Sequence, residues 1–217
     1  MATMAIRLPF ATHPPARAVL VLQSKSTPDP LTAGELGRFR YDAGLTHAQL
    51  TVLRQLVVFF DDDRLARVYD CIRPRRTAGH DAVSLRTLDW LVTNYSKKHL
   101  IRIASPDAPA RDLHNSYRET LELYGRPLFD PFRRGTRVHF DWAGETLDTT
   151  IGQLAFHRFM IHSAVLDYAT QNAVEIEADM LSTLTRAKQQ RADDPESKRR
   201  RVELTPSDPT RVHVVRL

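Results

Sequence analysis

A mainly α fold with a small β component (α+β) is what the sequence predicts: a compact helical core, with short strands near the termini and the centre. Three observations carry this. Apolar residues recur at helical spacing through 50–60, 85–95, 113–124 and 151–184. Thr46 with Gln49, and Thr150 with Gln153, have the capping-box spacing that opens a helix. Short apolar or alternating runs at 18–23, 138–142 and 211–217 are left for strands. With 217 residues, 42% of them hydrophobic, the chain can bury one sizeable core. The expected layout is a flexible N-terminal segment with a short strand (1–30), one mainly helical domain (31–186), a flexible basic linker (187–210) and an edge strand (211–217).

In order, Ala18–Gln23 reads as a strand, and Pro28 and Pro30 keep the connector after it irregular. Leu31–Ala43 reads as a short helix with Leu36 and Phe39 on one face. Thr46 then caps a helix whose Leu50, Leu53, Leu56, Val57 and Phe60 share a side, and whose VVFF run is apolar enough to be largely buried. Asp61–Asp63 end that helix and cap the next, RLARVYDCI. They lack the alternating oxygen ligands of a calcium loop. Arg73–Gly79 is a basic loop in which Arg75 and Arg76 can meet phosphates or solvent.

Ser84 is a good N-cap for a helix with Leu85, Leu88, Leu91, Val92 and Tyr95 inward. Trp90 lies off that stripe, either packed on a neighbouring element or available as a partner anchor. Lys97, Lys98 and His99 close the helix, where positive charge suits the dipole. His99–Ile103 is a short strand, Ser105–Arg111 a loop, and Leu113–Tyr124 a helix with Leu113, Tyr117, Leu121 and Tyr124 on one face. In Gly125–Arg137, GRPLFDPFRRGTR, Phe129 and Phe132 can pin a turn while Arg133, Arg134 and Arg137 stay outside. Asp130 caps that turn or pairs with an arginine. Val138–Trp142 is a strand. One helix then runs from Ile151 to Tyr168, followed by another from Val174 to Arg186 with Ile176, Met180, Leu181 and Leu184 inward and Glu175, Glu177 and Asp179 outward.

Composition limits the function. The formal charge is +5, from 31 basic and 26 acidic residues. That excess suits nucleic acid or an acidic partner without demanding one. The arginine weighting suits phosphate or carboxylate forks, and equally a GC-rich genome. A single cysteine, Cys71, excludes an intrachain disulfide framework and a multi-cysteine zinc site, and its apolar surroundings read as a buried thiol. No apolar run approaches a membrane span, and Pro9, Pro14 and Pro15 interrupt any signal-peptide core. His157 and His162 lie about 140° apart round a helix, so they do not form a metal pair. No phosphate-loop, dinucleotide, zincin or nucleophile-elbow motif occurs. The expectation is therefore a protein that is not an enzyme and needs no metal or cofactor.

Two classes of function follow. In the first, Arg75, Arg76, Lys97, Lys98, Arg133, Arg134 and Arg137 form one basic edge for DNA or RNA, mainly on the backbone. In the second, Trp90, Phe129 and Phe132 contact a protein partner in an assembly. Lys198, Arg199, Arg200 and Arg201, between Pro195 and Pro206, have the form of a nuclear-import signal. No membrane partner is expected.

Three blocks carry a resemblance: LDWLVTNYSKKH at 88–99, SYRETLELY with LFDPFRR at 116–134, and IGQLAFHRFMI with VLDYATQNAVEIEADM at 151–180. Their sequence and order resemble uncharacterised conserved proteins of the nucleocytoplasmic large DNA viruses. The resemblance implies a viral product in an infected host cell, in nucleus or cytoplasm or packaged in the virion, meeting viral or host proteins. It assigns no activity to any residue.

Overall fold

The computed structural model describes residues 5–6, 31–41, 44–73, 83–105, 108–132 and 134–193. The strands expected at 18–23 and 211–217, and the basic tetrad Lys198–Arg201, lie outside the described residues, as do Arg75, Arg76 and Arg133. The chain divides into two units, residues 1–176 and 177–217. The mainly helical α+β class holds.

Two small sheets brace the helices of the first unit. In one, β3 (Arg102–Ser105) lies between β1 (Ala5–Ile6), to which it is parallel, and β4 (Ala108–Asp112), to which it is antiparallel. β4 replaces the loop expected at 105–111, because Arg102 and Ile103 pair with Asp112 and Arg111 in a hairpin. The second sheet is antiparallel in the order β2 (Phe39–Tyr41), β5 (Arg137–Trp142), β6 (Glu145–Thr150). Here the expected 31–43 helix fails: α1 covers only Ala33–Leu36, and Gly37, at φ +57, turns the chain into β2. Phe39 is then placed opposite Phe140, ring centroids 5.7 Å apart and both buried. β5 and β6 are joined by Ala143 and Gly144 with φ +51 and +80, the two-residue turn that matches strand twist.

The expected caps form. Thr46 and Gln49 make both bonds of their capping box at the start of α2 (His47–Phe59), and Asp61 accepts from the Arg64 amide at the start of α3 (Asp62–Ile72). Val58 is exposed, against the expectation for VVFF, whereas Phe60 is buried. Cys71 is buried, as expected, and burial pushes its thiol up to about 12. The long helix expected over 151–168 is two, α7 (Ile151–His162) and α8 (Val165–Gln171), broken where Ala164 takes φ +52.

Thr150 caps α7, but Gln153 does not complete the box. Its side chain is buried, accepting from the Thr149 hydroxyl at 2.9 Å and donating to the Pro131 carbonyl at 3.0 Å. α9 runs from Ala173 to Asp193, past the helix end expected at Arg186, and Leu181 and Leu184 are exposed rather than inward.

Candidate functional site

The site is built on one rod. Ser84 caps α4 (Leu85–Trp90), accepting from the Thr87 amide at 3.1 Å, and the chain passes through a π turn (Leu91–Tyr95) into α5 (Ser96–His99). Leu88, Leu91, Val92 and Tyr95 are buried and hold the rod down, while Leu85, the first residue of the stripe read from the sequence, is half-buried. A π turn widens the helix and re-aims its carbonyls. The Val92 carbonyl accepts from the Ser96 hydroxyl and from His114 Nδ1, each at 3.1 Å. Because a carbonyl can only accept, His114 carries a proton on Nδ1 in this bond. His114 sits on α6 (Leu113–Tyr124), which Asp112 caps, so α6 clamps the rod at its irregular turn.

The rod ends in a basic tip. Lys97, Lys98 and His99 are exposed in its last turn, where the helix dipole favours cations. Lys98 Nζ sits 5.6 Å from the centroid of the Trp90 ring. The His99 ring stacks on Tyr95, centroids 4.0 Å apart and planes 24° apart. The Tyr95 hydroxyl donates to Glu175 at 2.8 Å; burial and then the Glu175 carboxylate push this phenol upward. Leu100 follows at φ +48, ψ +51, a left-handed conformation that costs a residue with a Cβ about 1 kcal/mol or more. The residue is 58% exposed. Ile101 is fully buried, and its carbonyl accepts from the Leu113 amide at 2.8 Å. Arg102 then stands exposed at the start of β3.

Beside the rod lies the 125–134 loop. Gly125, at φ +69, ends α6. Phe129 is 1% exposed, packed among Tyr117, Tyr124, Phe156 and Phe159 with ring centroids 5.6–6.2 Å from its own. The Asp130 amide donates to the Gly152 carbonyl at 3.1 Å. A Cβ on Gly152 would lie 3.2 Å from that amide nitrogen, so any other residue would push the loop away from α7 by a few tenths of an ångström. Arg134 Nε and Nη2 donate to the two Asp130 carboxylate oxygens at 2.9 and 2.8 Å. The Asp130 side chain is 7% exposed and that of Arg134 66%. Half-buried Asp89, on the rod, has its carboxyl raised by burial first and by the Asp130 charge second, with Arg134 and Arg126 opposing.

The residues singled out in the sequence therefore separate. Lys97 and Lys98 share the exposed tip with Trp90, which is half-buried against the core beneath Lys98. Arg134 stands on a different element with its fork on a buried carboxylate, and Arg137 is half-buried on β5. Phe129 is a core residue with no face for a partner, a correction set by its burial. Phe132 is 38% exposed, with the Arg134 guanidinium carbon 5.8 Å from its ring centroid. Sequence reasoning missed Arg102, Leu100 and the His114 clamp. Arg102 was within reach, three residues beyond Lys97–His99 in an expected strand.

Other polar groups serve the fold. His157 is completely buried, its Nδ1 donating to the Gln153 carbonyl at 2.8 Å, and burial lowers it to about 4. Its Nε2 has no hydrogen-bond partner. His162 packs edge-on against Phe59, and burial, Arg158 and Arg64 lower it. Arg40 forks onto Asp141 at 2.6 and 2.7 Å, and His139 meets Asp148 at 2.7 Å, on the second sheet. Among the described residues no three His, Cys, Asp or Glu side chains could hold a metal ion, and no helix is long and apolar enough to cross a membrane.

Residues 55–211 match the model of a family described as a family of unknown function, DUF7197. An uncharacterised protein of Acanthamoeba polyphaga mimivirus is 30% identical over 122 residues, which cover 52% of this chain and 47% of that relative. The chain thus spans about half the length of the curated relative it matches. The resemblance to uncharacterised giant-virus proteins read from the three sequence blocks holds on both findings. No solved structure matches the chain.

Proposed function

We propose, for a chain that belongs to the family of unknown function DUF7197, a non-enzymatic accessory role in virus-infected cells: binding DNA or RNA through the tip formed by Lys97, Lys98 and Arg102. One observation carries this reading. Three side chains that are positive at neutral pH stand exposed within the six residues 97–102, and the buried Ile101 fixes the backbone between them. Cations spaced this way meet phosphates and release counterions without reading bases. Of the other cations singled out in the sequence, Arg134 is committed to Asp130, Arg137 is half-buried, and Arg75, Arg76 and Arg133 lie outside the described residues. Packaging or transcription of a viral genome are the settings such backbone binding suits.

The test is affinity for DNA and RNA as a function of salt, for the wild type and for Lys97→Ala/Lys98→Ala/Arg102→Ala. On duplex DNA the log–log salt slope should shrink by about 0.9 for each phosphate that is no longer neutralised. Arg134→Ala should leave the slope nearly unchanged. Weak retention, equal for the wild type and the triple variant, would refute the reading.

A second reading, assembly through protein contacts, is favoured by Phe132, exposed on a loop fixed at both Asp130 and Pro131, and by exposed Leu181 and Leu184 on α9. Light scattering over a hundredfold concentration range addresses it, and a constant monomer mass would count against self-assembly.

A further inference from the structure

The basic tip carries one apolar residue that neither the fold nor phosphate binding uses. Leu100 is 58% exposed, in a left-handed conformation where glycine would sit without strain. Its neighbour Ile101 is fully buried and held through its carbonyl by the Leu113 amide. Leu100 is therefore presented outward by an anchored backbone, with Lys97 and Lys98 before it and Arg102 after it.

We propose that Leu100 is a wedge that enters between base steps of a nucleic-acid duplex while Lys97, Lys98 and Arg102 hold the flanking phosphates. This rests on the proposed function and names its substrate class: duplex that can be kinked, rather than single strands. An apolar side chain flanked by cations is the arrangement that minor-groove benders use, trading lost stacking for a bent duplex that meets more protein. An anionic lipid surface would also attract the cations. One protruding leucine buries too little apolar surface for stable anchoring, which needs a long amphipathic face or a second signal, whereas a base step accepts one side chain.

Leu100→Gly removes the wedge and also relieves the left-handed backbone, so the variant should fold at least as well as the wild type, which a melting curve checks. The experiment measures affinity, salt slope and end-to-end distance by energy transfer on a short duplex labelled at both ends, with a single strand and with phosphatidylserine vesicles as parallel arms. The wild type should bend the duplex by tens of degrees. Leu100→Gly should keep the salt slope, bind the duplex about tenfold more weakly, in line with the burial of one leucine, and leave it straight. Salt-dependent binding by both proteins with no bend and equal affinity would overturn the wedge while leaving the proposed function standing. Absence of nucleic-acid binding by the wild type would overturn both. Vesicle binding lost in Leu100→Gly, without duplex bending, would overturn the wedge and assign the tip to a membrane surface.

Discussion

The completely buried His157 makes folding stability depend on pH in a direction fixed by the structure. Burial lowers its imidazole from 6.5 to about 4, opposed only by the bond to the Gln153 carbonyl. Between those values the unfolded chain binds a proton that the folded chain refuses, so stability falls as pH drops from about 6.5 towards about 4. At about 1.4 kcal/mol per pH unit the whole span is worth about 3 kcal/mol, of which about 2 kcal/mol is already lost at pH 5. The assay is urea unfolding at pH 7.5, 6 and 5 for the wild type and for His157→Leu, which fills the site without a titrating group. His162 works in the same direction, being lowered by burial, Arg158 and Arg64. Asp89, whose carboxyl is raised, works in the opposite one, binding its proton earlier in the folded state and so adding stability as pH falls. Both persist in the variant, so the difference between the two proteins isolates His157. His157→Leu should lose about 2 kcal/mol less than the wild type between pH 7.5 and 5. Parallel pH dependences would refute the argument and place a polar partner on Nε2.

Two further outcomes follow from packing. Gly152→Ala, in most helices a stabilising change of up to about 1 kcal/mol, should here destabilise by about 1 kcal/mol. The new Cβ would meet the Asp130 and Phe129 amide nitrogens at 3.2 and 3.4 Å, and that backbone is held by the Gly152 carbonyl and the aromatic cluster, so it cannot yield cheaply. Urea midpoints measure the change, and a stabilised variant would show the loop to be loosely held. Cys71, with its thiol pushed up to about 12 by burial, should resist a thiol-specific disulfide reagent at pH 8 in the folded protein and react only on unfolding, so rapid native labelling would contradict its burial.

Local signals made the helices legible. Thr46, Asp61 and Ser84, read as caps, each accept from an amide three residues on, as does Asp112, which the sequence reading passed over, and the apolar stripes of α2, the rod and α6 face inward. What stayed hidden depends on pairing at a distance. Phe39 fits a helical face as well as a strand, and only Phe140, far along the chain, decides between them. β6, ETLDTT, is polar and alternates weakly, and the turn before it places Ala143 where asparagine or aspartate would have signalled a hairpin. Gln153 matched a local capping rule, but it is drawn into a stronger arrangement by Thr149 and by Pro131, twenty-two residues upstream.

The same division explains the site. A cluster of cations in sequence reports total charge, whereas binding depends on which cations the fold itself has put to use. Around Arg134 the chain supplies Asp130, one helical turn's worth of residues earlier and almost fully buried; desolvating that carboxylate is costly unless a guanidinium forks onto it. Arg134 thereby neutralises the buried carboxylate of a loop whose backbone meets α7 at the Asp130 amide and the Pro131 carbonyl. Lys97 and Lys98 end, and Arg102 follows, a rod whose buried polar groups are bonded: Thr87 to Ser84, Ser96 to the Val92 carbonyl and the Tyr95 hydroxyl to Glu175. The rod carries Lys97 and Lys98 exposed in its last turn. A charge-reversal pair separates the two roles: Arg134→Glu should destabilise the loop by setting two carboxylates together, whereas Lys97→Glu should lower stability by no more than the helix-dipole contribution, about 1 kcal/mol, and weaken salt-dependent retention on nucleic acid.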